Sequence, residues 1–258
     1  FKSNYHFQTY LGMLERSSVK FNIDVIAYAL MEWHIHLFVF DLKNKISKFM
    51  EELHGRYASF FNRDTGKVGH VFGERYNNKI VQPNEYGLWL SRYIHRQAVE
   101  AGLVVHPEDY PWTSYKQYIG LEPIKFIKPW VILEQFSDSV GDFKTVAKKY
   151  EEFVLGEEKE KDIDWDEMRN PVIGDLKFVM SQCDSRVIRK IVSADELITM
   201  LSNELKVTKK CLLKPVGREQ RSLRKEAVRI LYKSYRIKIS EITRLLKISR
   251  FSVMRYLE

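Results

Sequence analysis

Met31-Glu32-Trp33-His34-Ile35-His36-Leu37-Phe38-Val39-Phe40 is the stretch on which the fold turns. Its second half is apolar and β-prone and reads as a buried strand. Side chains alternate faces along a strand, so His34 and His36 project side by side while Ile35 enters the opposite face. Two neutral imidazoles held this way can chelate a divalent cation. The same three residues also suit the solvated face of an ordinary strand, because such short patterns recur by chance. Upstream, Ile23 to Leu30 alternates and is β-prone, and Met31 to Trp33 reads as a turn, so the two strands form an antiparallel pair.

Helical periodicity flanks this pair. Phe1 to Arg16 places Tyr5, Leu11 and Leu14 at helical spacing. Ile46 to Asn62 carries a stripe of Ile46, Phe49, Met50, Leu53, Tyr57, Phe60 and Phe61. Asp64 to Lys67 is a turn, and Val71-Phe72 and Tyr76 to Gln82 read as short strands around Gly73. Pro83-Asn84 is a helix entry with Asn84 as N-cap, and the helix runs to about Ala101, where Gly102 ends it. A Pro-punctuated loop, His106 to Trp112, closes the domain. Strands that pair antiparallel and alternate with helices make an α+β sandwich.

Beyond it, residues 121–192 read as a connector of two or three helices, with Phe143 to Phe153 helical and Glu157 to Asp166 highly charged. Residues 193–258 form an all-α domain. Ser193-Ala194-Asp195-Glu196 opens a helix with a capping box. Arg221 to Tyr235 is a second helix, Ser240 caps a third, and Ser249 caps the last, to Leu257.

The composition is that of a folded protein: 45% of the 258 residues are hydrophobic and 13% aromatic, which excludes a disordered chain. The net charge of +8 is unevenly placed. Residues 206–258 hold 16 Lys/Arg against 4 Asp/Glu, a surplus of 12, which leaves the remainder at −4. A polyanionic partner for the C-terminal segment follows. The two cysteines, Cys183 and Cys211, form neither a metal-ligand pattern nor a disulfide framework, which points to a reducing compartment. No apolar run approaches the roughly 20 residues of a membrane span, and no secretory signal is present.

The helix after Asn84 carries Tyr93-Ile94-His95-Arg96-Gln97. Tyr93 and Gln97 are four apart and share a face. Gln97 can offer its carbonyl oxygen as a third metal ligand beside His34 and His36. Tyr93 can attack a phosphodiester as its phenolate, and a free tyrosine with a pKa near 10 needs help to do so. A cation that polarises the scissile phosphate supplies part of it. The product is a covalent phosphotyrosine and a free hydroxyl on the other strand end, which conserves the bond for rejoining. Taken from this helix alone, a core tyrosine and a solvated glutamine are the better description of the pair.

The motif from Met31 to Phe40 resembles that of the single-tyrosine HUH transposases. So does the ordered series Tyr57 to Asn62, Gly69 to Tyr76, Tyr93 to Gln97, Ala101 to Val104 and Pro107 to Tyr115. Together these look most like the REP-associated tyrosine transposase branch, over about residues 1–120. The resemblance implies a ferredoxin-like antiparallel sheet with helices and an enzyme that cleaves and joins single-stranded DNA, often beside hairpins. It also implies a Mg²⁺ or Mn²⁺ site at His34 and His36 with Gln97 as third ligand, and Tyr93 as nucleophile. The chain departs from the branch in having Glu32-Trp33 where Pro-Asn is usual and Gln97-Ala98 where Asn-Pro is usual. Glutamine at this place matches the small insertion-sequence relatives. The family's first strand, which normally precedes a region like Phe1 to Arg16, is expected to lie in a segment before Phe1. Small insertion-sequence relatives are dimers and the REP-associated branch includes monomers, so homodimer and monomer stay open.

Arg75 and Lys79 are expected to contact phosphates, and Trp33, Tyr76 and Trp112 are aromatic candidates for stacking on unpaired bases, Trp112 more readily as core. His95 lies two residues from Tyr93 and therefore faces away from it. In the C-terminal domain, residues 240–255 read as a helix-turn-helix, with Arg244, Ser249, Arg250, Ser252 and Arg255 toward the major groove or its phosphates. Residues 193–257, including the basic helix with Arg218 and Arg221, resemble the DNA-binding domain of the bacterial replication initiator DnaA. That resemblance implies a grip on duplex DNA or a hairpin stem, in the bacterial cytoplasm and at the nucleoid, with no membrane and no nucleotide cofactor. The alternatives are a non-catalytic DNA-binding regulator and a replication initiator or relaxase with the same chemistry.

Overall fold

The computed structural model describes residues 1–137, 142–156, 165, 171–183 and 192–257. The chain divides into two compact units. The first comprises residues 1–78 and 83–166, the second residues 79–82 and 167–258. Of the expected connector, residues 121–166 belong to the first unit and 167–192 to the second. The charged stretch 157–166 lies outside the described residues apart from Trp165.

The first unit opens with α1 (Asn4–Phe21), ended by Asn22 in the left-handed conformation, φ 55°. A hairpin follows, β1 (Asp24–Leu30) and β2 (Ile35–Phe40). Its register pairs Leu30 with Ile35, Ala29 with His36 and Ala27 with Phe38. α2 (Ile46–Thr65) buries Phe49, Leu53, Tyr57 and Phe60 on the predicted stripe and stops at Gly66, φ 67°. Tyr10 of α1 meets Tyr57 of α2 edge to face at 5.1 Å, and Leu14 and Leu53 are fully buried beside them.

β2, expected as a buried strand, is not the more buried of the two. β1 is buried from Val25 to Leu30, whereas β2 is half-exposed and only Phe38 is buried. β1 has partners on both sides. Beyond β2, Thr113 bridges Ala29, Ile127 bridges Val25, and the Leu30 amide donates to the Trp112 carbonyl at 2.9 Å. Among the described residues the sheet is thus smaller than a full ferredoxin-like sheet: two ladder-paired strands and isolated bridges, in a mostly helical unit. Val71-Phe72 is not a strand. Of Tyr76 to Gln82 only β3 (Ile80–Val81) is extended.

α3 (Glu85–Glu100) is capped by the Asn84 side chain, which accepts from the Tyr86 amide at 3.1 Å, and is followed by Gly102 at φ 67°. Gly87, Ser91, Ile94, His95 and Ala98 form its buried stripe. Short α4 (Tyr115–Tyr118) and α5 (Trp130–Leu133) lead to α6 (Phe143–Leu155). Arg92 and Arg96 of α3 donate to the carbonyls of Phe153, Val154 and Gly156. They satisfy the orphan carbonyls at the C-terminal end of α6 and oppose its dipole with positive charge.

In the second unit β3 pairs parallel with β4 (Val172–Ile173), and Gln82 exchanges hydrogen bonds with Asp175 at 2.9 and 2.7 Å. Asp175 also caps α7 (Leu176–Gln182). α8 (Ala194–Glu204) has the predicted capping box of Ser193 and Glu196. α9 (Lys209–Leu213) and α10 (Gly217–Arg229) follow, with the buried Arg224 guanidinium donating to the carbonyls of Leu212 and Leu213 at the end of α9. α11 (Ile239–Leu246) begins before Ser240, with Lys238 rather than Ser240 as N-cap. A tight turn with Lys247 at φ 52° leads to α12 (Arg250–Leu257), which the Ser249 hydroxyl caps by accepting from the Ser252 amide at 3.1 Å. Ile242, Leu246 and Val253 are fully buried in this unit's core. Among the described residues no helix is long and apolar enough to cross a membrane.

Candidate active site

The hairpin turn places the histidines. The Met31 amide donates to the His34 carbonyl at 2.9 Å and closes the loop, so His34 stands at the mouth of β2 and His36 one pleat inside it. Their rings lie edge to face with centroids 4.8 Å apart, on one face as alternation requires. His36 pairs across the hairpin with Ala29 and Phe38 with Ala27. Small residues opposite both large ones leave room on that face for a packed helix. α3 supplies it: the Tyr93 ring meets the His36 ring edge to face at 5.5 Å. Trp165 lies on Tyr93 at 5.9 Å.

Gln97 is one turn beyond Tyr93 and half-buried. Its amide nitrogen donates to the Tyr93 carbonyl at 3.3 Å, so its carbonyl oxygen is not spent on that bond. Two imidazoles, a phenol and a carboxamide thus come from one strand and one helix. Among the described residues no three His, Cys, Asp or Glu form a metal-holding group. A donor set of two imidazoles and an amide oxygen is neutral, and it would leave a divalent cation its whole charge to present to a phosphate.

His95 anchors the helix. It is fully buried, and burial pushes its pKa down to about 3, so the ring is neutral. The surrounding network assigns its tautomer. The Tyr150 hydroxyl donates to Ser91 Oγ at 3.0 Å and therefore accepts from His95 Nδ1–H at 2.7 Å. Ser114 Oγ, which accepts from the Tyr28 amide at 3.0 Å, donates to His95 Nε2 at 2.8 Å. The 3.4 Å approach of Ser114 Oγ to the Tyr28 carbonyl is the weaker use of the same proton. Ser91 Oγ in turn donates to the Leu88 carbonyl at 2.7 Å. Every side-chain polar group in this buried chain is satisfied, and it fixes α3 to both β1 and α6. Ser91, Ser114 and Tyr150 escape sequence reasoning, because their partners lie up to 86 residues away. Only the helical spacing of His95 away from Tyr93 signals a core role.

A neutral buried histidine has a pH consequence. With its folded pKa depressed below the unfolded value near 6.5, the unfolded chain alone takes up a proton as pH falls. Stability is intact above pH 6.5 and is lost at about 1.4 kcal/mol per unit as pH falls toward 3. The half-buried His54, pushed down to about 4 by burial, acts with the same sign. Between pH 7 and pH 5 the unfolding free energy measured by urea titration is expected to fall by about 2 kcal/mol from His95 alone, with a matching fall in the urea midpoint. The slope should flatten in His95→Gln. An equal slope in both proteins would contradict the assignment.

The expected DNA contacts divide between the units. Arg75 is exposed in the first unit, its guanidinium 5.4 Å from the Tyr76 ring centroid. Lys79 belongs to the second unit. There Arg218 and Arg221 are exposed on α10, Arg244 on α11, and Arg250 and Arg255 on α12, with Ser249 and Ser252 hydrogen-bonded to each other at 2.9 Å.

No curated protein and no solved structure matches the chain. Residues 2–97, the stretch that contains His34, His36, Tyr93 and Gln97, match the family model described as Transposase IS200 like, and that part of the chain is similar to the IS200-like transposases.

Proposed function

We propose that this chain cleaves and rejoins single-stranded DNA through a covalent link to Tyr93, as a DNA strand transferase of the single-tyrosine HUH class. The approach of the Tyr93 ring to His36, at 5.5 Å within one chain, carries the reading. Tyr93 Oη gives its proton to solvent water and attacks phosphorus. The P–Oη bond forms, the P–O bond to the leaving nucleotide breaks, and the leaving oxygen takes up a proton as a free hydroxyl. Reversal by another strand's hydroxyl rejoins DNA without ATP.

His34, His36 and Gln97 would hold the cation, Mg²⁺ or Mn²⁺. Bound there, it would neutralise charge developing on the scissile phosphate. The His95 network holds α3, and with it Tyr93, to β1 and α6, so that attack needs little reorganisation. The ordered motif series over residues 57–115 supports placement in the REP-associated branch. The test is incubation of the full chain with a hairpin-flanked single strand and Mn²⁺. A denaturation-resistant protein–DNA adduct is expected, and none should form with excess chelator. Cleavage that survives chelation would refute the metal assignment.

The second unit, in this reading, grips duplex DNA or a hairpin stem, with α11 and α12 as a helix-turn-helix. The exposed arginines of α10, α11 and α12 and the charge surplus of residues 206–258 support it. Replacing both Arg250 and Arg255 by alanine should weaken duplex binding. It should also reduce the slope of log affinity against log salt by about 1 for each phosphate no longer neutralised. Adduct formation on a strand without a hairpin should persist. An unchanged salt slope would remove α12 from the interface. A bacterial, cytoplasmic and nucleoid setting accords with this reading.

A further inference from the structure

Trp33, Tyr76 and Trp112 are the aromatic candidates for stacking on DNA bases, and the structure separates them. Trp112 stacks on Phe7 at 4.7 Å with rings nearly parallel, and is part of the core edge. Tyr76 shares a 3.0 Å hydrogen bond with Ser47 and faces the Arg75 guanidinium. Trp33 remains. It is 89% exposed, more than any other aromatic side chain among the described residues. It sits at the tip of the β1–β2 turn, directly before His34.

An indole held in water at this position is not explained by folding. Large aromatics bury when they can, and a turn tip needs no tryptophan. The turn is nevertheless firmly held. Met31 is buried, its amide closes the loop onto His34, and the Tyr110 hydroxyl donates to the Leu30 carbonyl at 2.8 Å. A held turn therefore presents the indole to solvent one residue before His34. Its other neighbour, Glu32, is exposed and acidic and would repel a phosphate. The arrangement suits the uncharged face of a base rather than the backbone.

We infer that Trp33 is a binding residue that stacks on one unpaired nucleobase next to the scissile phosphate and so sets which phosphate reaches Tyr93. This rests on the strand-transfer reading, and its test is separable from that reading. Binding of the full chain to a short unstructured oligonucleotide is measured without metal, for wild type, Trp33→Ala and Trp33→Tyr. Alanine should weaken binding about 10-fold, within the range expected for removal of one base–aromatic stack. Tyrosine should restore most of it. The salt slope should not change, because every neutralised phosphate stays neutralised.

A series of oligonucleotides with one abasic site each then locates the base. At a single position the abasic strand should bind wild type as weakly as Trp33→Ala binds the intact strand, with no further loss when the two are combined. The proposal is overturned if alanine leaves affinity unchanged, if it weakens duplex binding equally, or if no abasic position removes the difference. Adduct formation by wild type with no effect of Trp33 sinks the platform alone. A Trp33-dependent, position-specific loss with no adduct sinks the strand-transfer reading, and with it the register role, and leaves Trp33 as a base-stacking residue.

Discussion

Tyr93→Phe is expected to abolish the covalent protein–DNA adduct, by on the order of 10³-fold or more, while binding to single-stranded DNA stays within about twofold. Loss of a nucleophile is among the largest single effects an enzyme shows, because no other group takes over its bond. Phenylalanine keeps the ring that meets His36 at 5.5 Å and Trp165 at 5.9 Å, so the packing around α3 survives. The expected stability change is within about 1 kcal/mol. Loss of adduct with an unchanged urea midpoint separates chemistry from folding. An adduct at the wild-type rate would remove Tyr93 from the reaction.

The histidine pair gives the second large effect. His34→Ala should lower cleavage at least about 100-fold at limiting Mn²⁺, more than the loss usual for residues that only support a ligand. His34 is exposed and its substitution should cost the fold no more than about 0.5 kcal/mol. His36→Ala should abolish cleavage more completely, since it also removes the ring that packs on Tyr93. Raising Mn²⁺ should recover part of the His34→Ala activity, because a site with one donor fewer binds more weakly rather than differently. The measurement is cleavage rate against metal concentration. An identical metal dependence in wild type and His34→Ala would contradict a ligand role.

Sequence reading reaches what local pattern can encode. The turn between two β-prone runs, the stripe of α2, the Asn84 cap and Gly102 stop of α3, and the Ser193 capping box all follow from residues within a few positions of each other. What escapes it is long-range. Tyr76 to Gln82 looks like a strand of the first domain, yet only Ile80 and Val81 are extended, and their partners are Val172 and Ile173 in the second unit. Two residues of pairing carry too little pattern to announce a partner so distant. β2 reads as a buried strand because it ends in a run of apolar residues. Burial is decided instead by the bridges from Thr113 and Ile127, which cover the far edge of β1. Likewise α6 is legible as a helix but not as the support of α3. Its Tyr150 reaches His95 across 55 residues, and Arg92 and Arg96 reach its last carbonyls across 58 to 64. Alternation and helical spacing explain why His34 and His36, and Tyr93 and Gln97, share a face, while the approach of Tyr93 to His36 is long-range.

One bond between this protein and DNA defines the proposed reaction. Wild-type protein incubated with Mn²⁺ and a hairpin-flanked single strand, digested and analysed by mass spectrometry, should yield a nucleotide-modified peptide whose adduct maps to Tyr93. Cleaved DNA with the nucleotide on another residue, or cleaved DNA with no protein adduct, would contradict it.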